Sequence, residues 1–399
     1  MTLEINQLTP QINQMGKTIH NQRAEKQVRI AEAKALLNQY ATEFDALEAR
    51  ISKAEVVQEA VRFSWLGAAP TDEPLNTYID APDGPEAVTI IASDGSQIYP
   101  DRHALTLYYL LNIGVIVYEQ GGLEAPVVKS LPSLFYEEHD LFDDNHLLTS
   151  ASVVNVKRDI GEIEILANLA QAYQPQQKPI ITLIDGRLTL RTIDLSGRDQ
   201  ISYENQYLGY LSQLQQSEAI IAAYIDKPLS SFIISLIHLA SLTVETISEE
   251  TLRHNPFVTL ADVDLFDDLG AGQRTALFNQ RAKANINYNK AGHQIHFFYL
   301  NTGSAERPNL VRVEIPGWVA KNPTYLNTLH ATLLRQTRIT GGYPYVLARA
   351  HELAIIPPNE REALETKLAV SLTREGITPE LSLKQHNKNL LSGREGFKV

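Results

Sequence analysis

The chain has 399 residues, with 35 Lys and Arg against 47 Asp and Glu, so its formal net charge is −12. Apolar residues make up 44% of the sequence, which is enough to bury a substantial core and excludes global disorder. The negative charge disfavours binding of nucleic acid through a basic surface. The absence of cysteine excludes disulfides, thiol nucleophiles and Cys-based zinc or iron–sulfur sites.

The sequence carries no sign of a membrane or an export signal. The segment MTLEINQLTP lacks the basic and apolar regions of a signal peptide. No run approaches the roughly 18 apolar residues that span a bilayer. We therefore expect a cytoplasmic protein that does not associate with membranes.

Residues 1–65 are predicted to form a helical arm. Thr9 fits an N-cap and Pro10 the first helical position. Apolar residues then recur every three or four positions from 10 to about 63, with a slip in phase across Gln22–Arg29. One long amphipathic helix is predicted, and a helical hairpin, a dimerisation arm or a coiled coil are the alternatives. The Pro- and Gly-rich residues 66–87 are predicted to form a linker.

The predicted body spans residues 88–377 and is followed by a polar tail at 378–399. Apolar and β-branched runs predict strands at 88–93, 103–118, 179–184, 220–225, 295–300 and 310–315, the last two paired. Helical periodicity predicts helices at 153–173, 203–217, 231–242, 323–336, 346–355 and 358–373. Residues 119–150 are predicted to form an acidic loop, and Asp262–Asp268 a solvated helix start. Strands separated by a helix of this length predict an α/β sheet with some parallel pairing.

Asp94 and Asp185 have equivalent places in this pattern. Each follows an apolar strand and precedes a glycine. Ligands of α/β sheets bind at the carboxyl ends of strands, and a glycine there lets a ligand approach the backbone. Asp-Gly is also a common turn dipeptide, so a structural turn is the alternative for both positions.

Glu162 is predicted to face the buried side of its helix. It continues the apolar stripe of Leu166 and Leu169, whereas Glu164 falls on a polar side. A buried carboxylate requires a cationic partner. That partner is either Arg158, one turn away, or a metal ion, in which case Arg158 would lie near a phosphate. The spacing supports the two interpretations equally.

Three carboxylates without cysteine suit Mn²⁺ or Mg²⁺. Two such ions activate water and stabilise the leaving oxygen in phosphodiester cleavage. Lys227 follows the third apolar strand next to a helix start, where it would contact a phosphate or remain solvated. His351 precedes an apolar helical run and is interpreted either as a core histidine or as a ligand or proton-transfer group. No GxxxxGK[ST], GxGxxG or HExxH motif is present.

Over residues 88–370 the sequence resembles the NurA family of nucleases. The resemblance lies in the order of the segments IIASDGSQI, RDIGEI, ITLIDGRL, AAYIDKPLSS, DLFDDLGAGQRTALF, FFYLNTG, LVRVEIPGWVA and YPYVLARAHELAII. It implies a ribonuclease H-like mixed sheet flanked by helices, similar to the catalytic domain of Argonaute proteins, with a long N-terminal helical arm. It also implies a Mn²⁺-dependent 5′→3′ exonuclease and single-strand endonuclease that acts on DNA. It further implies a homodimer docked on a HerA-type hexameric ATPase that resects ends in double-strand break repair.

The resemblance also assigns residues to roles. It makes Asp94, Glu162 and Asp185 catalytic metal ligands, and His351 completes the site. Lys227 matches a basic position after the third strand, where it would be catalytic or would bind nucleic acid together with Arg158. Two other functions stay open: a non-catalytic adaptor of the translocase complex, and a ribonuclease H-like nuclease that acts on RNA.

Overall fold

Two units that alternate along the chain make up the fold. The computed structural model describes residues 4–60, 65–143, 146–174, 178–195, 197–304 and 306–377. Unit 1 contains the described parts of 1–84, 186–189 and 222–343, and unit 2 those of 85–185, 190–221 and 344–377. The predicted polar tail at 378–399 lies outside the described residues.

The bounds of the regular elements are as follows. The strands are β1 (Gly67–Pro70), β2 (Tyr78–Ile79), β3 (Val88–Ile98), β4 (Tyr109–Gln120), β5 (Val127–Phe135), β6 (Ile180–Asp185), β7 (Ile220–Ile225), β8 (Arg274–Thr275), β9 (Phe278–Arg281), β10 (Ile295–Asn301) and β11 (Leu310–Pro316). The helices are α1 (Thr9–Gln39), α2 (Phe44–Ala60), α3 (Glu138–Leu141), α4 (Ala151–Tyr173), α5 (Gly197–Gln216), α6 (Phe232–Ala240), α7 (Glu249–Arg253), α8 (Lys283–Lys290), α9 (Gly317–Ala320), α10 (Pro323–Thr340), α11 (Tyr345–Ala354) and α12 (Pro358–Arg374). Most of the predicted elements are confirmed to within a few residues.

Unit 1 is built from antiparallel strands covered by helices. Strand β10 pairs with β9 and with β11, and β11 continues to pair with β7. The predicted pairing of the strands at 295–300 and 310–315 is therefore confirmed. Helices α1, α2 and α6 pack on this sheet through one apolar core, whose members include Ile30, Leu37, Leu47, Ile51, Ile234, Phe297 and Tyr299.

The predicted single helix over residues 10–63 is wrong. Helix α1 ends at Gln39, and α2 begins at Phe44 after a short turn. The slip in phase at Gln22–Arg29 lies inside α1 and not at this break. The turn instead lets the apolar stripes of α1 and α2 pack on one core, which a single straight helix could not do. Only the second part of α1 is buried, and Ile12, Met15 and Ile19 are exposed.

The prediction of a plain linker at 66–87 is also wrong. Strand β1 pairs with β9, and β2 pairs with β8. Pro70 is the last residue of β1. Proline is tolerated at strand ends and sheet edges, where no inward hydrogen bond is lost, so the Pro-rich composition did not exclude short strands.

Unit 2 has a mixed sheet at its centre. Strands β5, β4 and β3 pair antiparallel in that order, and β3 pairs parallel with β6. Helix α4 packs against β3, β4 and β6, and α11 packs against β3 and β4. The predicted α/β class, with a mixed sheet flanked by helices, is therefore confirmed.

The acidic loop predicted at 119–150 contains β5 and the short helix α3. The side chains of β5 are exposed along most of its length. A strand exposed on both faces has no apolar alternation, so sequence periodicity could not reveal it. Within the described residues, no helix is long and apolar enough to cross a bilayer.

Candidate active site

The two predicted aspartates come directly after the stretch over which two strands pair in parallel. Strands β3 and β6 stay in register as far as the pair Ser93–Ile184, so Asp94 and Asp185 are the next residues on each strand. Asp185 ends β6, and Gly186 has a φ of 98°, as the predicted turn requires. The turn interpretation is wrong for Asp94, because β3 continues antiparallel to β4 as far as Ile98.

One side of β3 contacts helix α4. The Ser93 hydroxyl donates a hydrogen bond to the carbonyl of Glu162 at 3.0 Å, and Arg158 Nη1 donates to Gln97 Oε1 at 3.1 Å. A Cβ at Gly95, between these positions, would lie 2.6 Å from Arg158 Cγ and from Glu162 Oε1. Gly95 is therefore needed for the close approach of α4 rather than for a turn.

Asp94 instead faces helix α11. Nδ1 of His351 lies 2.6 Å from Asp94 Oδ2, and the other carboxylate oxygen accepts the Gly95 N–H at 2.8 Å. The Asp94 side chain is 17% exposed and the His351 side chain 60%. The structure thus brings together two residues that the family resemblance assigned to one site, and the imidazole is open to solvent.

Polar groups on β3 and β4 hold the C-terminal end of α11. The Asn112 amide donates to the carbonyls of Leu353 and Ala354, at 3.1 and 2.9 Å. The Ser96 hydroxyl also donates to the Ala354 carbonyl. The last carbonyls of a helix lack partners within the helix, so these bonds fix its end on the sheet.

Gly114 of β4 is the residue paired with Asp94. A Cβ at this position would overlap the backbone of Ala350 and Ala354 in α11. Gly114 therefore sets how closely α11 approaches the strand that carries Asp94, and with it the position of His351.

Glu162 is a buried carboxylate with one ion pair. Its Oε1 lies 3.3 Å from Arg158 Nε. Burial raises the pKa of the Glu162 carboxyl well above its usual value, and the charges of Asp159, Asp94 and Asp185 raise it further, whereas Arg158 lowers it. Arg158 alone therefore does not compensate for the burial, and a cation among these acids would.

The neighbouring Glu164 points elsewhere. Its carboxylate is hydrogen-bonded to Tyr210 of α5. The sequence-based choice of Glu162 as the inward-facing acid therefore agrees with the geometry, while its role as a ligand stays a prediction.

The donor set fits Mn²⁺ or Mg²⁺ by chemistry, because it consists of carboxylates and one imidazole. In the present arrangement, however, no three His, Asp or Glu side chains of the described residues form a group that could hold a metal. Arg158 contacts Glu162, and His351 contacts Asp94.

Lys227 belongs to unit 1, whereas the other five predicted site residues belong to unit 2. It follows β7, is exposed, and has a φ of 48° immediately before Pro228. This left-handed conformation is uncommon for a residue with a side chain. Its catalytic or nucleic-acid-binding role stays a prediction.

Several residues at this site were missed from the sequence. Asp159 accepts from Arg158 Nη2 at 2.6 Å, and Gln97 accepts from Nη1 of the same guanidinium. Gln97 gave no signal, because the predicted strand ended at residue 93 and only the continuation of β3 to Ile98 brings it to the side of Gly95. Asn112 and Gly114 gave no signal, because their contacts depend on strand register.

The sheet order β5-β4-β3-β6 puts Asp94 and Asp185 on neighbouring parallel strands, with Glu162 on the helix before β6. Residues 88–356, more than half of the chain, match the family model described as the NurA domain. The chain belongs to the NurA family of nucleases.

The chain is similar to several solved structures, of which three follow. The NurA nuclease from Sulfolobus solfataricus has a TM-score of 0.48 at 12% identity, over 85% of this chain and 94% of that one. The catalytic domain of human Endonuclease V has a TM-score of 0.31 at 12% identity, over 70% and 84%. Drosophila Piwi has a TM-score of 0.27 at 11% identity, over 66% and 29%. No curated protein matches the chain.

Proposed function

We propose that the protein is a metal-dependent deoxyribonuclease with 5′→3′ exonuclease and single-strand endonuclease activity. It would act in the cytoplasm as a homodimer and resect DNA ends together with a HerA-type hexameric ATPase. The observation that carries the proposal is the set of three acids, Asp94 and Asp185 after parallel strands and Glu162 buried beside them.

Asp94, Glu162 and Asp185, with His351, would hold Mn²⁺, or Mg²⁺ in its place. Such ions activate water and stabilise the leaving oxygen of a phosphodiester. His351 orients the Asp94 carboxylate and, being exposed, can also exchange a proton with solvent or substrate. Arg158, which Asp159 and Gln97 orient, presents a positive charge to a phosphate, and Lys227 would contact the nucleic-acid backbone.

The net charge of −12 supports the proposal that DNA binding depends on the HerA-type ATPase. Bound divalent cations would neutralise the site carboxylates but not the remaining acidic residues. The protein alone should therefore bind DNA weakly and with strong salt dependence, and activity should rise when the ATPase delivers the strand. Nanomolar binding of DNA by the protein alone at physiological salt would contradict this.

The direct test is degradation of labelled single- and double-stranded DNA with Mn²⁺, with and without the ATPase. Asp94→Ala and Asp185→Asn should abolish cleavage, and Asp45→Asn, on the exposed surface of α2, should not. Cleavage by the two site variants equal to that of the wild type would refute the proposal.

Two further measurements separate the other functions. If a matched RNA oligonucleotide is cleaved faster than the DNA oligonucleotide, RNA and not DNA would be the substrate. An absence of both cleavage and Mn²⁺-dependent thermal stabilisation would instead favour a non-catalytic adaptor, because a specific ligand stabilises the folded state that binds it. Sedimentation of the protein alone would test the homodimer.

A further inference from the structure

Unit 1 contains a cavity that the proposed catalysis does not use. Its volume is about 280 Å³, just below the usual range for ligand pockets, roughly 300–1,000 Å³. It can therefore hold one small ring system but not a duplex. The residues that line it include Leu66, Arg187, Phe232, Gln280, Arg312 and Glu314.

Two buried charges in the cavity cancel each other. Arg312 Nη2 lies 2.8 Å from Glu314 Oε1, and both side chains are almost completely buried. The other Glu314 oxygen accepts the Leu188 N–H at 2.9 Å. The Arg312 guanidinium also lies over the rings of Phe232 and Phe297, at 4.5 and 3.8 Å from their centroids. The interior is therefore neutral overall, and the Glu314 carboxylate disfavours an anion inside it.

Gln280 offers unused hydrogen-bond donors to this cavity. Its residue surface is only 6% exposed. The side-chain carbonyl accepts from Arg312 Nη2 at 3.1 Å, whereas the amide NH₂ group makes no hydrogen bond with any described residue. A ligand with an acceptor on its edge would bond with this group.

The remaining walls are mostly apolar. Leu66 and Leu229 are 53% and 89% exposed, and Phe232 contributes an aromatic ring. Arg187 also lines the cavity and has an exposed side chain. A flat, neutral ring with polar groups on its edge matches the interior, and a phosphate attached to that ring matches Arg187.

We propose that this cavity binds the base of one unpaired nucleotide of the substrate strand, with Arg187 on its phosphate. The inference rests on the proposed function in taking nucleic acid as the substrate. Bases that leave a duplex are bound by stacking and by hydrogen bonds to their edges, which Phe232, Gln280 and Glu314 supply here.

The test uses the full chain and two kinds of cavity variant. Ser231→Phe fills the cavity, and the Ser231 hydroxyl makes no hydrogen bond to a described residue that would be lost. Gln280→Glu keeps the acceptor for Arg312 and removes the free NH₂ group. Val258→Phe adds the same ring at an exposed position of unit 1 that does not line the cavity, and it is the matched control.

The probes are the four deoxynucleoside 5′-monophosphates, observed by saturation-transfer NMR in EDTA. We expect magnetisation transfer to the base protons with the wild type and with Val258→Phe. We expect this transfer to be lost with Ser231→Phe and with Gln280→Glu. The proposal would be overturned if none of the four proteins, the wild type and the three variants, showed transfer, or if all of them showed it equally. Melting curves test whether each variant is folded. If Ser231→Phe does not fold, the result with Gln280→Glu decides.

Single-stranded oligonucleotides give a second readout in EDTA. The two cavity variants should bind about tenfold more weakly than Val258→Phe, since stacking of a base contributes roughly 1–3 kcal/mol. Equal affinities would again overturn the proposal. Specific mononucleotide binding by a protein that cleaves nothing would refute the nuclease activity and leave this site standing.

Discussion

Nδ1 of His351 lies 2.6 Å from Oδ2 of Asp94, although 257 positions separate the two residues in the chain. The contact exists because α11 lies directly against Gly114, the residue paired with Asp94 on β4. Asn112 and Ser96 hold the end of the same helix through its carbonyls. The position of the imidazole is therefore determined by β4 as much as by α11.

Gly114→Ala should displace α11 and separate His351 from Asp94. The added methyl group would overlap helix backbone, which cannot rotate away as a side chain can. We expect a loss of about 1–3 kcal/mol in the free energy of unfolding, by urea denaturation, and a fall in nuclease activity of at least about tenfold. Gly161→Ala, in α4, is the control. Its added Cβ would lie 3.5 Å from the Ile113 side chain of β4, which is an ordinary van der Waals distance. Equal activity of the two variants would show that α11 is not held by this contact.

His351→Ala should reduce cleavage by roughly 10²–10⁴-fold if the imidazole takes part in proton transfer. Its side chain is largely exposed, so thermal stability should change little. The control is His139→Ala, whose side chain is 75% exposed on α3. Steady-state rates with Mn²⁺ and melting curves separate the two effects, and unchanged rates would remove His351 from the reaction.

Glu162→Gln should abolish activity without unfolding the protein. Burial and three neighbouring acids make the Glu162 charge unfavourable in the absence of a cation, and the neutral amide removes that cost. Arg158 keeps its bonds to Asp159 and Gln97. In EDTA the free energy of unfolding should be unchanged within about 1 kcal/mol, or higher. The rise in melting temperature with Mn²⁺ should shrink, and a persisting full rise would place the metal elsewhere.

Asp262 should make stability depend on pH between about 4 and 6. The predicted solvated helix start is wrong for this residue, which is fully buried and accepts the N–H groups of Phe232 and Ile234 and the hydroxyl of Tyr299. Burial raises its pKa to about 6. The folded state therefore binds the proton more tightly than the unfolded state, and this stabilisation is lost as the pH rises through that window.

The comparison with Asp262→Asn isolates this effect, because the amide does not titrate. The quantity to follow is the free energy of unfolding of the wild type minus that of the variant. This difference should fall by on the order of 3 kcal/mol as the pH rises from 4 to 7. Urea unfolding at several pH values measures it. A difference that does not change with pH would mean that Asp262 titrates normally.

The two parts of the N-terminal arm should respond differently to truncation of their apolar side chains. Ile51 is fully buried in the core of unit 1, and Ile51→Ala should cost roughly 2–5 kcal/mol of stability. Ile12 is 51% exposed, and Ile12→Ala should change stability by less than about 0.5 kcal/mol. If the exposed stripe of α1 is part of a homodimer interface, Ile12→Ala should instead shift the sedimentation coefficient toward the monomer.

Local patterns predicted the elements whose two sides differ in polarity. Helix α4 and strands β6 and β7 were found close to their observed bounds because their apolar periodicity is strong. Strand β5 was missed because its side chains are exposed, and the break after α1 was missed because the core that requires it lies far along the chain.

The sequence by itself determined the set of acids. Their order along the chain, the glycines beside Asp94 and Asp185, and the apolar stripe that contains Glu162 are local features, and they predict these side chains in one site. Only the tertiary structure decided that β3 continues past Asp94, that Gly95 and Gly114 make room for two helices, and that His351 reaches Asp94. These contacts join segments far apart in the chain, and no local propensity encodes the strand register and helix packing that create them.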